Sequence, residues 1–297
     1  MPRSLIDRIA HFTALDAPTG FEEPVLLAAK EALEPCCERV EVDARGNVYG
    51  WQPGGGADGP RVMITAHADE IGFMVTSIRR DGFLRFTKLG GPTDMVLPGQ
   101  RVRVLCETGP IEGIIGVKPG HVLRDGDESR RVPQVKDLYI DISATNGEEA
   151  IEWGVEPGTP AVFVGPLTAL KQPGRYCGKA VDNRAGVVCV LAAAEQLATR
   201  DLAAERVFVI AVEEEIGLRG AAVAAKHVDP DVVLAIDTVP AGGTPDLSPE
   251  ELPWEIGRGP LLKVREVKGL STHGPLRKLI REAAAEHQTP YQLVVDT

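Results

Sequence analysis

No stretch of this chain is apolar over anything near the roughly 18 residues that a membrane-spanning helix needs, so no helical membrane anchor is expected. The first residues, MPRSLIDRIAHF, carry acid and have no apolar core segment, so no secretory leader is expected either. Thiol chemistry is sparse. The five cysteines, Cys36, Cys37, Cys106, Cys177 and Cys189, are odd in number and include no CxxC pair. That argues against a disulfide scaffold and for buried or idle thiols in a reducing cytoplasm. A basic excess is missing too: the net charge is −11, which disfavours nucleic acid and anionic membranes as partners, although plain solubility is its more ordinary meaning. There is no internal repeat and no low-complexity tract.

What is present is a core-forming composition, 43% hydrophobic over 297 residues, enough for one large domain or two ordinary ones. Three apolar runs stop abruptly at an acid or a histidine. VMITA ends at His67, VFVIAV at Glu213-Glu214-Glu215, and VVLAI at Asp237. Short runs rich in Val and Ile read as strands buried on both faces. Open α/β sheets bind ligands beyond the carboxyl ends of their strands. A histidine and several carboxylates at that edge make a site for divalent metals.

Helices are expected over residues 4–12, 22–34, 185–198 and 278–288, and a hairpin turning at Arg45-Gly46-Asn47. GGGADGP leads into the His67 strand as a loop. From residue 70 the chain changes to short alternating segments separated by Gly and Pro turns, the rhythm of a small β-barrel or sandwich. The expected fold is therefore α/β, a mixed sheet flanked by helices, carrying an inserted all-β barrel-like domain. The α/β domain is discontinuous, residues 1–69 and 165–297, and the insertion spans 70–164.

Taken singly, the candidate residues stay ambiguous. Asp69 shares a face with His67 if the strand continues, and can accept from the ring nitrogen facing away from a metal; the pair also reads as a strand-end histidine beside a solvated acid. Asp182, in GKAVDNRAG, could cap the helix that follows. Three successive acids at 213–215 repel one another unless they reach solvent or a cation; with a metal, one serves as ligand and another as general base. Asp237 could simply start a turn. His11, His121, His227, His273 and His287 read as surface or structural.

In the stretches TAHADEIGFMV, GGPTDMVLPGQRV, CGKAVDNRAGV, VEEEIGLRGA and AIDTVPAG the chain closely resembles the tetrahedral (TET) metallo-aminopeptidases, a family that includes glutamyl and deblocking aminopeptidases. The resemblance implies a zinc-peptidase-like fold and cleavage of N-terminal residues from short peptides. It implies two divalent ions, zinc, cobalt or manganese. One is held by His67, Asp182 and Asp237, and the second by a bridging Asp182, by Glu215 and by a late histidine. Glu214 is the implied general base, Asp69 the residue orienting His67, and the Asp182–Asn183 peptide is implied to be cis. The insertion is the implied dimerisation domain, and members assemble from dimers into hollow dodecamers. Two departures stand out. Glu213 replaces a usual Gln, and no histidine here matches the late ligand, so either a C-terminal segment is missing or the second metal site is incomplete. The competing readings are a non-catalytic assembly subunit, a related deacylase, and an endoglucanase-type glycosidase, which would need two carboxylates across a sugar cleft and no metal.

Overall fold

The structure is a computed structural model that describes residues 4–56, 59–122, 131–266 and 270–295. The chain forms two compact units, Met1–Thr238 and Val239–Thr297.

The first unit opens with helices α1 (Leu5–Ala14) and α2 (Glu23–Leu33) and strands β1 (Arg39–Val42), β2 (Val48–Gln52) and β3 (Arg61–His67). Ser4 caps α1 through a capping box with Asp7, and Pro24 sits in the first turn of α2, where its missing N–H costs little. A helix–strand tract closes the unit: α4 (Val181–Leu197), β12 (Glu205–Ala211), α5 (Arg219–Val228) and β13 (Val232–Ala235). The strands order as β1-β2-β12-β3-β13. Strands β12 and β13 run parallel to β3, whereas β2 is antiparallel to β12. The sheet is mixed, and its parallel strands all end on one edge.

Between β3 and α4 lies a closed barrel, ordered β4-β5-β8-β7-β6-β9. Its strands are β4 (Gly72–Ile78), β5 (Leu84–Leu89), β6 (Arg101–Cys106), β7 (Gly109–Gly116), β8 (Tyr139–Asp141) and β9 (Pro160–Phe163), with the short helix α3 (Gly147–Glu152) before β9. A two-stranded ribbon, β10 (Thr168–Ala169) and β11 (Tyr176–Cys177), leads back to the sheet. Alternating residues Val102 and Val104, Leu84 and Phe86, and Phe73 and Val75 fill the barrel, and Phe73 meets Phe86 and Phe163 edge to face.

On the sheet, Val48, Ile64, Ala66, Phe208 and Ile210 pack against α2 and α4. Tyr49, Met63, Val207 and Val209 face Ala224 and Val228 of α5 on the other side. The VMITA and VFVIAV runs are buried on both faces as expected. VVLAI is not: Val233 is 43% exposed. Among the described residues of this unit β13 pairs only with β3, and an edge strand needs no two-sided burial.

Helix α5 begins where Gly220 passes under the sheet. A Cβ there would lie 2.2 Å from the Val212 carbonyl and 2.5 Å from Asn47 Oδ1, so the roughly 1 kcal/mol that alanine offers a helix cannot be realised without moving backbone. The β1–β2 turn is built on Asp43. Its Oδ1 accepts the N–H groups of Arg45, Gly46 and Asn47, and its Oδ2 accepts Tyr49 O–H at 2.6 Å. Burial opposes that charge, but these donors outweigh it and hold the Asp43 carboxyl below its usual range. A depressed carboxylate stabilises the fold above its unfolded pKa of about 3.9 and loses that contribution as pH falls through the folded value. Asp43→Asn is therefore expected to cost on the order of 1–2 kcal/mol at pH 7. In urea melts the gap from wild type should close below about pH 4; a gap independent of pH would show that the charge is not the cause.

The second unit pairs β14 (Leu261–Arg265) with β15 (Gln292–Val295) in parallel and carries α6 (Gly274–Glu286). Helix α6 starts earlier than residue 278 because Pro275 opens it rather than preceding it, the position where proline is best tolerated.

Candidate metal centre and active site

Each candidate reaches the same edge of the sheet by a different route. His67 ends β3 and is 5% exposed. Its Nδ1 faces Asp69, with Oδ1 at 3.3 Å and the backbone carbonyl at 3.1 Å. Its Nε2 faces outward to Asp182 Oδ1 at 3.2 Å, Asp237 Oδ1 at 3.7 Å and Glu214 Oε2 at 3.9 Å. Two sets of donors lie within 4.8 Å of one another: His67 with Asp182 and Asp237, and His67 with Glu214 and Glu215.

Asp69 is fully buried. Its carboxylate accepts Thr19 O–H at 2.8 Å and the backbone N–H groups of Glu214 and Glu215 at 3.0 and 3.1 Å. One side chain thus orients the imidazole and fixes the backbone after β12. Burial works against its charge, but His67 and these donors prevail and hold it below the usual carboxylate range.

Asp182 does not cap α4. Asp182 and Asn183 form a non-helical kink inside α4, and the regular helix beyond it is capped by Asn183, whose Oδ1 accepts Gly186 N–H at 3.0 Å. Asn183 Nδ2 also donates to the Ile236 carbonyl at 2.8 Å, which draws the Asp182 and Asp237 segments together. The Asp182–Asn183 peptide is cis, as the resemblance implies.

The three acids separate. Glu213, at φ 53°, pairs with Arg45 Nη2 at 2.6 Å, and its N–H donates to Glu22 Oε1. Its charge is neutralised away from His67, which answers the departure noted at this position. Glu214 and Glu215 stay with the cluster, half-buried. Burial, then neighbouring carboxylates against the opposing pull of His67, raises both, Glu215 to about 7. For His67 burial opposes the charge, but hydrogen bonds to Asp182, Asp237 and Asp69 push it up to about 12 while a proton rather than a metal occupies Nε2. Carboxylates that repel one another around an imidazole call for a cation, and the donor types, imidazole nitrogen and carboxylate oxygen, are those of zinc and its divalent neighbours.

Sequence reasoning missed the groups that hold this edge. Arg184 is fully buried in α4 and donates to the carbonyls of Ala68, Phe12, Leu15 and Ala17. Glu70 pairs with Lys179 Nζ at 2.7 Å, and Lys179 also reaches Asp16 at 3.0 Å. The one available signal was an arginine inside the apolar run that forms α4; nothing marked Thr19 or Asp16.

An imidazole–carboxylate cluster at the carboxyl edge of a mixed α/β sheet, with a β-barrel inserted after the histidine strand, defines a hydrolase of the metallopeptidase class. The chain belongs to the M42 glutamyl aminopeptidase family, whose model matches residues 46–297, and it is a peptide hydrolase of the tetrahedral aminopeptidase group. The crystal structure of a TET aminopeptidase from a marine-sediment Thaumarchaeota archaeon superposes with a TM-score of 0.91 at 36% identity, over 97% of this chain and 80% of that one. The glutamyl aminopeptidase of Lactococcus lactis subsp. cremoris is 34% identical over 81% of this chain and 68% of its own length. Pyrococcus horikoshii TET1 peptidase, described as assembling into a tetrahedron or a large octahedral shell, has a TM-score of 0.85 at 31% identity, over 99% of this chain and 84% of that one. Among the described residues no helix is long and apolar enough to cross a membrane.

Proposed function

We propose that this chain is a metal-dependent aminopeptidase that removes N-terminal residues from short peptides. The observation that carries the reading is the division of His67: Nδ1 is occupied by Asp69 while Nε2 points at Asp182, Asp237 and Glu214. His67, Asp182 and Asp237 would hold one divalent ion, and Asp182 and Glu215 would contribute to a second. Bound there, the ions would polarise the scissile carbonyl and acidify the attacking water. Glu214 takes the proton from that water and returns it to the leaving amine. Asp69 fixes the tautomer of His67 and raises its basicity, and through the amides of Glu214 and Glu215 it sets where both carboxylates stand.

Residues 1–69 and 165–297 form the catalytic part in this reading, and the barrel within 70–164 mediates self-association from dimer to tetrahedral dodecamer. The assembly described for the P. horikoshii peptidase supports self-association.

The test is metal removal. Dialysis against a chelator is expected to abolish hydrolysis across a panel of aminoacyl chromogenic substrates, and zinc, cobalt or manganese should restore it. Hydrolysis that survives chelation at undiminished rate would rule the reading out.

A further inference from the structure

At the other end of β12, seven residues and roughly 20 Å from the acidic cluster, lies an open cavity of about 410 Å³. Its charged wall is Glu38, Arg200, Asp201 and Arg206, with Gln52 in its floor. Arg206 and Gln52 face each other across the β2–β12 ladder and are only 6% and 3% exposed.

The floor is not satisfied by the protein. Arg206 is held by two backbone carbonyls, Pro53 at 2.9 Å and Arg200 at 3.4 Å. Its Nε and Gln52 Oε1 have no hydrogen-bond partner. No carboxylate among the described residues lies within 4 Å of the Arg206 guanidinium, and the side chains of Glu38, Arg200 and Asp201 enter no ion pair among those residues either, although they line one bowl. Nε and Oε1 are closed to solvent, so what Arg206 offers the bowl is the charge of a guanidinium bonded to two carbonyls and to no carboxylate.

We propose that the bowl binds a small zwitterion of the chemical class of a free α-amino acid or dipeptide, its carboxylate against Arg206 and Arg200 and its ammonium against Glu38 and Asp201. A simple anion would meet two carboxylates in the wall, and a simple amine would meet two guanidinium groups. A molecule that carries both charges meets a partner of opposite sign for each of its own among these four. The cavity volume falls within the range of small-molecule sites, about 300–1,000 Å³. Hydrolysis at a peptide N-terminus releases this class of molecule; that link rests on the proposed activity, whereas the binding itself does not.

The test is calorimetric titration of the metal-loaded protein with L-alanine, alongside Arg200→Ala/Asp201→Asn. Both substitutions fall on exposed side chains remote from the catalytic cluster. Alanine bound at the catalytic cluster contributes equally to both isotherms, so the difference reports the bowl. The wild type is expected to show one site per chain that the variant lacks or binds at least tenfold more weakly. Propionate and ethylamine, each carrying one of the two charges, should bind that site at least tenfold more weakly than alanine. Identical isotherms for wild type and variant would overturn the proposal, as would propionate binding as tightly as alanine, which would make the bowl a plain anion site. Because no turnover is measured, a failure of the aminopeptidase reading leaves this result standing.

Discussion

Replacing Glu214 with glutamine is expected to lower kcat by roughly 10²–10⁴-fold, the usual contribution of a positioned general base, with bound metal unchanged. Glutamine keeps the shape and a carbonyl oxygen but cannot take a proton. Glu214 is suited to the task because burial and the charges of Asp237, Asp69 and Asp182 raise it, against the opposing pull of His67, and a base works best with a pKa near the operating pH. Its backbone is tied to Asp69, so the substitution should leave its position intact. Metal analysis accompanies the kinetics, since Glu214 also stands among donors able to reach an ion. Lost turnover with lost metal would make it a ligand instead, and full turnover with metal retained would remove it from the chemistry.

The largest effect on stability is expected from Arg184→Met. The guanidinium is fully buried and donates to four carbonyls, at 2.7 Å to Ala68, 2.8 Å to Phe12, 2.9 Å to Leu15 and 3.2 Å to Ala17. Burial lowers its pKa, while the surrounding acids, Glu70 foremost, counter it. Methionine fills part of the volume but removes the donors; the Phe12 and Ala17 carbonyls keep the N–H groups of Leu15 and Glu70, while those of buried Ala68 and half-buried Leu15 lose the guanidinium. The expected cost is about 3–5 kcal/mol, as for breaking other buried charge networks, against a total stability of about 5–15 kcal/mol. Arg184→Lys keeps the charge with fewer donors and no planar fork, and should fall between. Denaturant midpoints decide the matter: a methionine variant that melts with the wild type would mean the carbonyls find other partners. Since Arg184 holds Ala68, between His67 and Asp69, metal affinity should fall in parallel.

The two substitutions show how unevenly the molecule could be read from its sequence. The three acids after VFVIAV, His67 and Asp237 were visible as candidates because all end apolar runs and so converge on one sheet edge, whereas Glu214 was singled out among the acids only by the resemblance. The barrel was visible as a change of hydrophobic period after residue 70, since alternation is a local property of strands. The edge position of β13 was not visible, because a Val-rich run looks alike whether one neighbour or two pairs with it.

Local order along the chain determined the class of this protein: which runs become strands, which residue types stand at their ends, and hence a histidine- and carboxylate-rich edge on an α/β sheet. Tertiary structure alone decided how those residues divide the work. His67 and Asp182 are 115 positions apart, and Asp69 meets the amide of Glu214 across 145. Glu213 pairs instead with Arg45, 168 positions away. Charge, burial and hydrogen-bond partners depend on distances in space, and no pattern within a single segment of chain carries that information.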